Sequence, residues 1–185
     1  MKGTSTTYCL LDMIHTWLSY LDAPGHHLRL CFLDFSKAFD RIGHNVLIEN
    51  LLDLGARTSL IPWIISFLTN RRQRVKVPDS ISDWLPIKAG VPQGTKLGPI
   101  LFLVMVNNLN ISSPETCIWK YVNNVSLSEG LEKNRVSNIQ SSLDTIASWS
   151  SSNWMKLNAK KCKEMQISFL KKTTELPLLK STIDH

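Results

Sequence analysis

Cys31-Phe32-Leu33-Asp34-Phe35-Ser36-Lys37-Ala38-Phe39-Asp40 sets an apolar segment directly against two carboxylates. An apolar run, residues 28–33, follows the breaker Pro24-Gly25 and has the length and composition of a strand buried on both faces. It ends in Asp34, and a second carboxylate, Asp40, comes six residues later. A carboxylate at the mouth of a buried strand needs a cation, a hydrogen-bond cluster or a metal to offset its desolvation. Taken alone, the stretch fits a turn-capping acid as well as a functional one.

Working outward, the chain reads as alternating helices and short strands of one α+β domain. Residues 5–21 repeat Leu10, Leu11, Ile14, Trp17, Leu18 and Leu21 at helical spacing. Helices follow at 45–54, capped by Gly55, and from Ser59 to Asn70 with Pro62 in the first turn. Residues 73–77 alternate polar and apolar and can pair with 83–89 across Pro78-Asp79-Ser80. Gly90-Val91-Pro92-Gln93-Gly94-Thr95-Lys96-Leu97-Gly98-Pro99 is an irregular loop opening an apolar helix at Ile100, a geometry suited to anions. Residues 117–122 read as a strand, Asn123-Asn124 as its turn and 125–128 as the returning strand. A helix over 134–155, a basic turn at 157–163 and a last strand at 165–170 complete the domain, and the tail 171–185 reads as poorly ordered.

The chain has 185 residues, 43% hydrophobic and 19% charged, with a formal charge of +6. Those values describe an ordinary globular protein with a mild basic bias, compatible with a polyanionic partner. Arg71, Arg72, Arg74 and Lys76 concentrate part of that charge on one segment, as a solvated face or a phosphate contact. Four scattered cysteines form no C-x-x-C pair, so free thiols and a reducing, intracellular setting are expected. No signal peptide and no membrane span are visible.

The order Asp34-F-S-K-A-F-D, then G-V-P-Q-G-T-K-L-G-P-I-L-F, then an aromatic hairpin, then L-N-x-x-K resembles the reverse transcriptases of non-LTR (LINE-type) retrotransposons. Gly3-Thr4-Ser5-Thr6-Thr7 and the helix after it are similar to the end of that family's fingers region, so the resemblance covers residues 3–170. It implies a right-hand polymerase palm, an antiparallel sheet with helices packed on one face. It also implies an RNA template, a DNA primer, a deoxynucleoside triphosphate and Mg2+ or Mn2+.

Asp34 matches the family's first metal-binding carboxylate, and the carbonyl of Phe35 a backbone ligand beside the nucleotide. Phe39 matches the aromatic gate against a ribose 2′-hydroxyl. Gln93 and Gly94 match the loop lining nucleotide and template, and Lys161 the residue that protonates leaving pyrophosphate.

The family's hairpin carries Tyr/Phe-x-Asp-Asp, whereas here it reads Tyr121-Val122-Asn123-Asn124. Two-metal nucleotidyl transfer needs clustered carboxylates to hold dications about 4 Å apart. Replacing two of them by neutral amides weakens the metal site, and a loss of roughly three to four decades in rate is expected. The family's upstream fingers segments and its thumb are also expected to be missing. Two further readings are an active RNA-directed DNA polymerase and a non-catalytic RNA- or DNA-binding module.

Overall fold

The computed structural model describes residues 5–133 and 135–169. The tail expected from residue 171 and the first residue of the helix expected from 134 lie outside them. In chain order the elements are α1 (Thr6–Leu21), β1 (His26–Ser36), a 3-10 turn (Ala38–Asp40), α2 (His44–Asp53), a second 3-10 turn (Thr58–Leu60) and α3 (Ile61–Leu68). Four two-residue strands come next: β2 (Arg72–Gln73), β3 (Lys76–Val77), β4 (Ser80–Ile81) and β5 (Leu85–Pro86). The chain closes with α4 (Leu97–Asn107), β6 (Thr116–Tyr121), β7 (Asn124–Glu132), α5 (Ile139–Ser152), β8 (Lys156–Leu157) and β9 (Lys163–Ser168).

Two compact units emerge. The first holds residues 5–36, 109–151 (Asn134 aside) and 157–169, and the second holds 37–108 and 152–156. The main sheet runs β6-β7-β1-β8, with β9 also pairing β1. β1 is its centre, antiparallel to β7 from His26↔Glu132 to Asp34↔Asn124 and antiparallel to β9 from His27↔Ser168 to Phe32↔Lys163. Helices on both sides explain why β1 is apolar on both faces, with α1 over Phe32 and α5 over Phe35: Leu28, Leu30, Cys31 and Leu33 are all buried. The flanking strands explain its length, since pairing with β7 carries it to Asp34, just beyond the apolar run.

The expected α+β class and antiparallel sheet are found, but the helices of this unit do not keep to one face. Trp17 of α1 meets Phe32 and Trp119 edge-on, whereas Trp149 of α5 meets Phe35. Phe32 and Phe35 are three residues apart on β1 and so point to opposite faces. α1 comes so close to β7 that a Cβ on Gly130 would lie 2.3 Å from the Tyr20 ring.

α1 uses only part of the stripe its periodicity suggests. Met13 is buried and Trp17 packs on the sheet, while Leu10, Leu11, Ile14 and Leu18 are half exposed. Bulky aromatic side chains fit the sheet surface, and the helix is apolar on both sides, so periodicity alone could not choose between them. α5 buries Ile139, Leu143 and Ile146 as expected, but Val136 and Trp154 lie outside it and are exposed. Its first turn is held by buried Glu129, whose carboxylate accepts from the backbone N–H of Asn138 (2.8 Å) and Ile139 (3.3 Å).

In the second unit α2 and α4 pack together, and Leu47, Leu51, Leu101, Phe102 and Met105 are buried. The polar residue Asn50 is buried there too and accepts from Asn108 Nδ2 at 3.1 Å. Segment 72–86 forms the expected hairpin in two tiers, β2 with β5 and β3 with β4. No helix among the described residues is long and apolar enough to cross a membrane.

Candidate functional site

Asp34 leaves the core at the end of β1 with only 8% of its surface exposed. Its carboxylate accepts from Asn123 Nδ2 on Oδ1 at 2.8 Å and from Asn158 Nδ2 on Oδ2 at 3.3 Å. Lys161 Nζ stands 3.5 Å from Oδ2. Backbone bonds brace the same point: Asn158 N donates to the Asp34 carbonyl at 2.8 Å, and Phe35 N donates to the Asn123 carbonyl at 3.1 Å. Three segments distant in sequence thus converge on one carboxylate, and together they satisfy the polar group that burial would otherwise penalise. The Lys161 side chain is two-thirds exposed, so the amides contribute more than the ion pair.

The hairpin differs in detail from the sequence expectation. Tyr121 pairs with Asn124, so Val122 and Asn123 form the turn and Asn124 opens β7. The left-handed residue is Val122 (φ 49°), not an asparagine. A β-branched residue there costs about 1–3 kcal/mol, strain the flanking register imposes.

Sequence reasoning drew Asp34, Asn123, Asn124 and Lys161 into one site, and the structure brings them together. It missed Asn158 and Cys162. Asn158 is the asparagine of L-N-x-x-K, but its role depends on a contact 124 residues away. Burial pushes the Cys162 thiol up from its usual value, partly offset by hydrogen bonding to the backbone of Asp34 and Asn158. Phe35 has a fully buried ring against Trp149, so only its backbone is available to a ligand.

The donor set does not fit a pair of dications. Among the described residues no three His, Cys, Asp or Glu side chains cluster as metal ligands. Asp34 is already met by two amide N–H groups and an ammonium. The Asn123 amide presents Nδ2 to the carboxylate, which turns its oxygen, the atom a cation would need, away.

The second unit carries the other expected residues. Phe39 packs on Phe102 with ring centroids 4.9 Å apart. Exposed Gln93 donates from Nε2 to Asp40 Oδ1 at 3.0 Å. The loop is tied down at Gly90 (φ 79°), whose N–H donates to Ile42 O and whose missing Cβ would lie 2.6 Å from Phe39 O. Val91 N donates to Phe39 O at 2.8 Å, so Phe39 and the Gly-rich loop are one braced structure. Gly94 is also left-handed (φ 78°), with open space where a side chain would be. The α4 N-terminus is partly answered from within, because Gly98 N donates to Thr95 Oγ1 at 3.1 Å. Arg71 departs from its neighbours. Its guanidinium donates to the carbonyls of Leu68, Ala89 and Gly90, which makes it a clamp on the loop. Arg72, Arg74 and Lys76 are exposed.

The family described as "Reverse transcriptase (RNA-dependent DNA polymerase)" matches residues 2–176. The chain belongs to the reverse-transcriptase family. It is 32% identical over 159 residues to the RNA-directed DNA polymerase from mobile element jockey of Drosophila melanogaster, covering 79% of this chain and 17% of that protein. A Pol polyprotein from the type-1 retrotransposable element R2 of Popillia japonica is 25% identical over 164 residues, 84% of this chain and 27% of the relative. The relatives are thus of the non-LTR kind that the sequence motifs resemble, and the reverse-transcriptase chain described here spans only a minor part of their length. Among solved structures, the telomerase of Candida tropicalis in complex with a fragment of telomeric RNA shares the fold with a TM-score of 0.69 and 14% identity. That match covers 88% of this chain and 30% of the telomerase. The telomerase of Candida albicans gives a TM-score of 0.68 at 16% identity, covering 92% and 31%. This likeness supports the reading of the antiparallel sheet as a reverse-transcriptase palm.

Proposed function

We propose that this chain is the palm region of a non-LTR retrotransposon reverse transcriptase whose nucleotidyl-transfer centre is impaired. The observation that carries the reading is the Asn123 amide donating to Asp34 at 2.8 Å. An amide N–H holds the carboxylate where the family's chemistry calls for a cation shared between carboxylates. Asp34 is the first-carboxylate position, Asn123 and Asn124 are neutralised aspartate positions, and Lys161 is the leaving-group acid, here turned to Asp34. On the second unit Phe39 is the sugar gate, and Gln93 with Gly94 line the nucleotide. RNA template, DNA primer and deoxynucleoside triphosphate are the ligands this reading assigns. Mg2+ or Mn2+ would supply Lewis-acid chemistry in the intact family; here Asp34 and the Phe35 carbonyl would be left to hold it, and only weakly.

Primer extension on an RNA template, with Mg2+ and with Mn2+, tests the proposal. The chain as it stands is expected to incorporate nothing above a protein-free blank. Clear template-directed incorporation would sink the impairment and favour the working-polymerase reading. The parallel control is the chain with both Asn123→Asp and Asn124→Asp.

A further inference from the structure

The hairpin spanning β2 to β5 carries features that the palm chemistry does not use. Arg74 lays its guanidinium over the Trp84 ring, 4.6 Å from its centroid, yet Trp84 remains 54% exposed. Arg72, Arg74 and Lys76 recur at every second residue of the outgoing limb. β2 pairs with β5 through Arg72↔Pro86, which puts Arg72 and Arg74 on the face that Trp84 shares. The base of the same hairpin borders an open cleft of about 970 Å3 within the second unit, lined by Arg72, Pro86, Lys88 and the Gly90–Gln93 loop. From residue 71 to 88 there are five cations against two carboxylates, Asp79 and Asp83.

We infer that this hairpin is a single-stranded nucleic-acid platform, on which a base stacks against Trp84 while Arg72, Arg74 and Lys76 follow successive phosphates toward the cleft. The inference rests on the reverse-transcriptase reading and adds to it a surface and a residue, Trp84. Three physical points select this partner. An exposed indole costs free energy in water and offers a π-face to any base. A guanidinium stacked on it is pre-organised, so less side-chain freedom is lost on binding, and its charge remains for a phosphate. A cation repeat along an extended limb matches an extended polyanion better than a compact acidic protein patch. A duplex buries its base faces, so stacking on Trp84 favours single strands. Arg71 is set apart from them, because its Nε and Nη2 donate to backbone carbonyls of Leu68, Ala89 and Gly90.

The test is fluorescence anisotropy of fluorescein-labelled oligouridylate and oligothymidylate, with blunt duplex DNA as the comparison. Trp84→Ala should weaken single-strand binding roughly tenfold and leave duplex binding unchanged, and Trp84→Phe should restore most of the loss. Arg72→Ala and Lys76→Ala should each lower the salt slope by about one. Thermal melting of each variant controls for folding, since these side chains are exposed. Trp84→Ala binding single strands as tightly as the parent chain would overturn the proposal, and so would an equal loss on duplex. If the chain still binds an RNA–DNA hybrid in either of those cases, the platform alone fails. If no nucleic acid binds at all, the nucleic-acid reading of the whole chain fails with it. Loss of self-association in Trp84→Ala with oligonucleotide binding intact would also overturn it, assigning the surface to protein contact.

Discussion

Asn123→Asp is the perturbation that probes the centre of the site most sharply. It replaces the amide that donates to Asp34 Oδ1 at 2.8 Å with a second carboxylate at the same place. Two unit charges about 4 Å apart repel by about 4 kcal/mol at an effective dielectric near 20. The lost hydrogen bond to a charged group adds about 1.5–3 kcal/mol. Asn123 is partly exposed and Lys161 stands nearby, so solvent and that cation screen the sum to about 2–4 kcal/mol. For a domain of this size, that lowers the melting temperature by roughly 4–16 °C at neutral pH without divalent cations.

A dependence on divalent metal accompanies the change. In the double variant Asn123→Asp, Asn124→Asp, three carboxylates surround the point, and Mn2+ should recover stability, by about 1.4 kcal/mol at ten times its dissociation constant. Thermal unfolding with and without Mn2+ reads all of this. In an Asp34→Asn background, Asn123→Asp should cost little, which isolates the coupling. An Asn123→Asp chain that melts within a degree or so of the parent at neutral pH, metal-free, refutes the argument.

Other outcomes follow from single positions. Gly90→Ala should cost more than about 2 kcal/mol in urea unfolding, because its Cβ meets the Phe39 carbonyl and φ is 79°. Val122→Gly should stabilise the chain by about 1 kcal/mol in the same assay, through release of left-handed strain at the hairpin. Burial, with the neighbouring charges of His26 and Arg29, holds the His27 imidazole below its usual range. The unfolded chain therefore takes up a proton first, and stability should fall as pH drops below about 6.5, a loss that His27→Gln should flatten in acid-unfolding curves.

Local patterns made much of this protein legible. The run ending at Asp34 announces β1, because a strand with helices packed on both of its faces must be apolar on both. The hairpin was legible from its strands but not in its turn. Two asparagines have the chemistry of turn residues, yet the register Tyr121↔Asn124 puts one of them in a strand and forces Val122 left-handed. Local propensity gives no sign of that, because pairing across the sheet decides it. The burial of α1 escaped for a related reason. Of its expected stripe Trp17 meets the sheet, but Leu10, Leu11, Ile14 and Leu18 stay half exposed while Tyr20, outside the stripe, packs against Gly130. Arg71 was indistinguishable from Arg72 in sequence, and only the path of residues 89–90 shows that it binds carbonyls. Asn158 was visible as a letter of a motif, with its role hidden until the chain brought it to Asp34.

The proposed impairment stands on Asp34 being held by amides in place of metal. Mn2+ binding by water-proton relaxation measures this directly, on the chain as it stands and on Asp34→Asn. Weak, unsaturated Mn2+ binding, the same in both, is the expected result. Saturable binding in the low micromolar range that Asp34→Asn abolishes would contradict it.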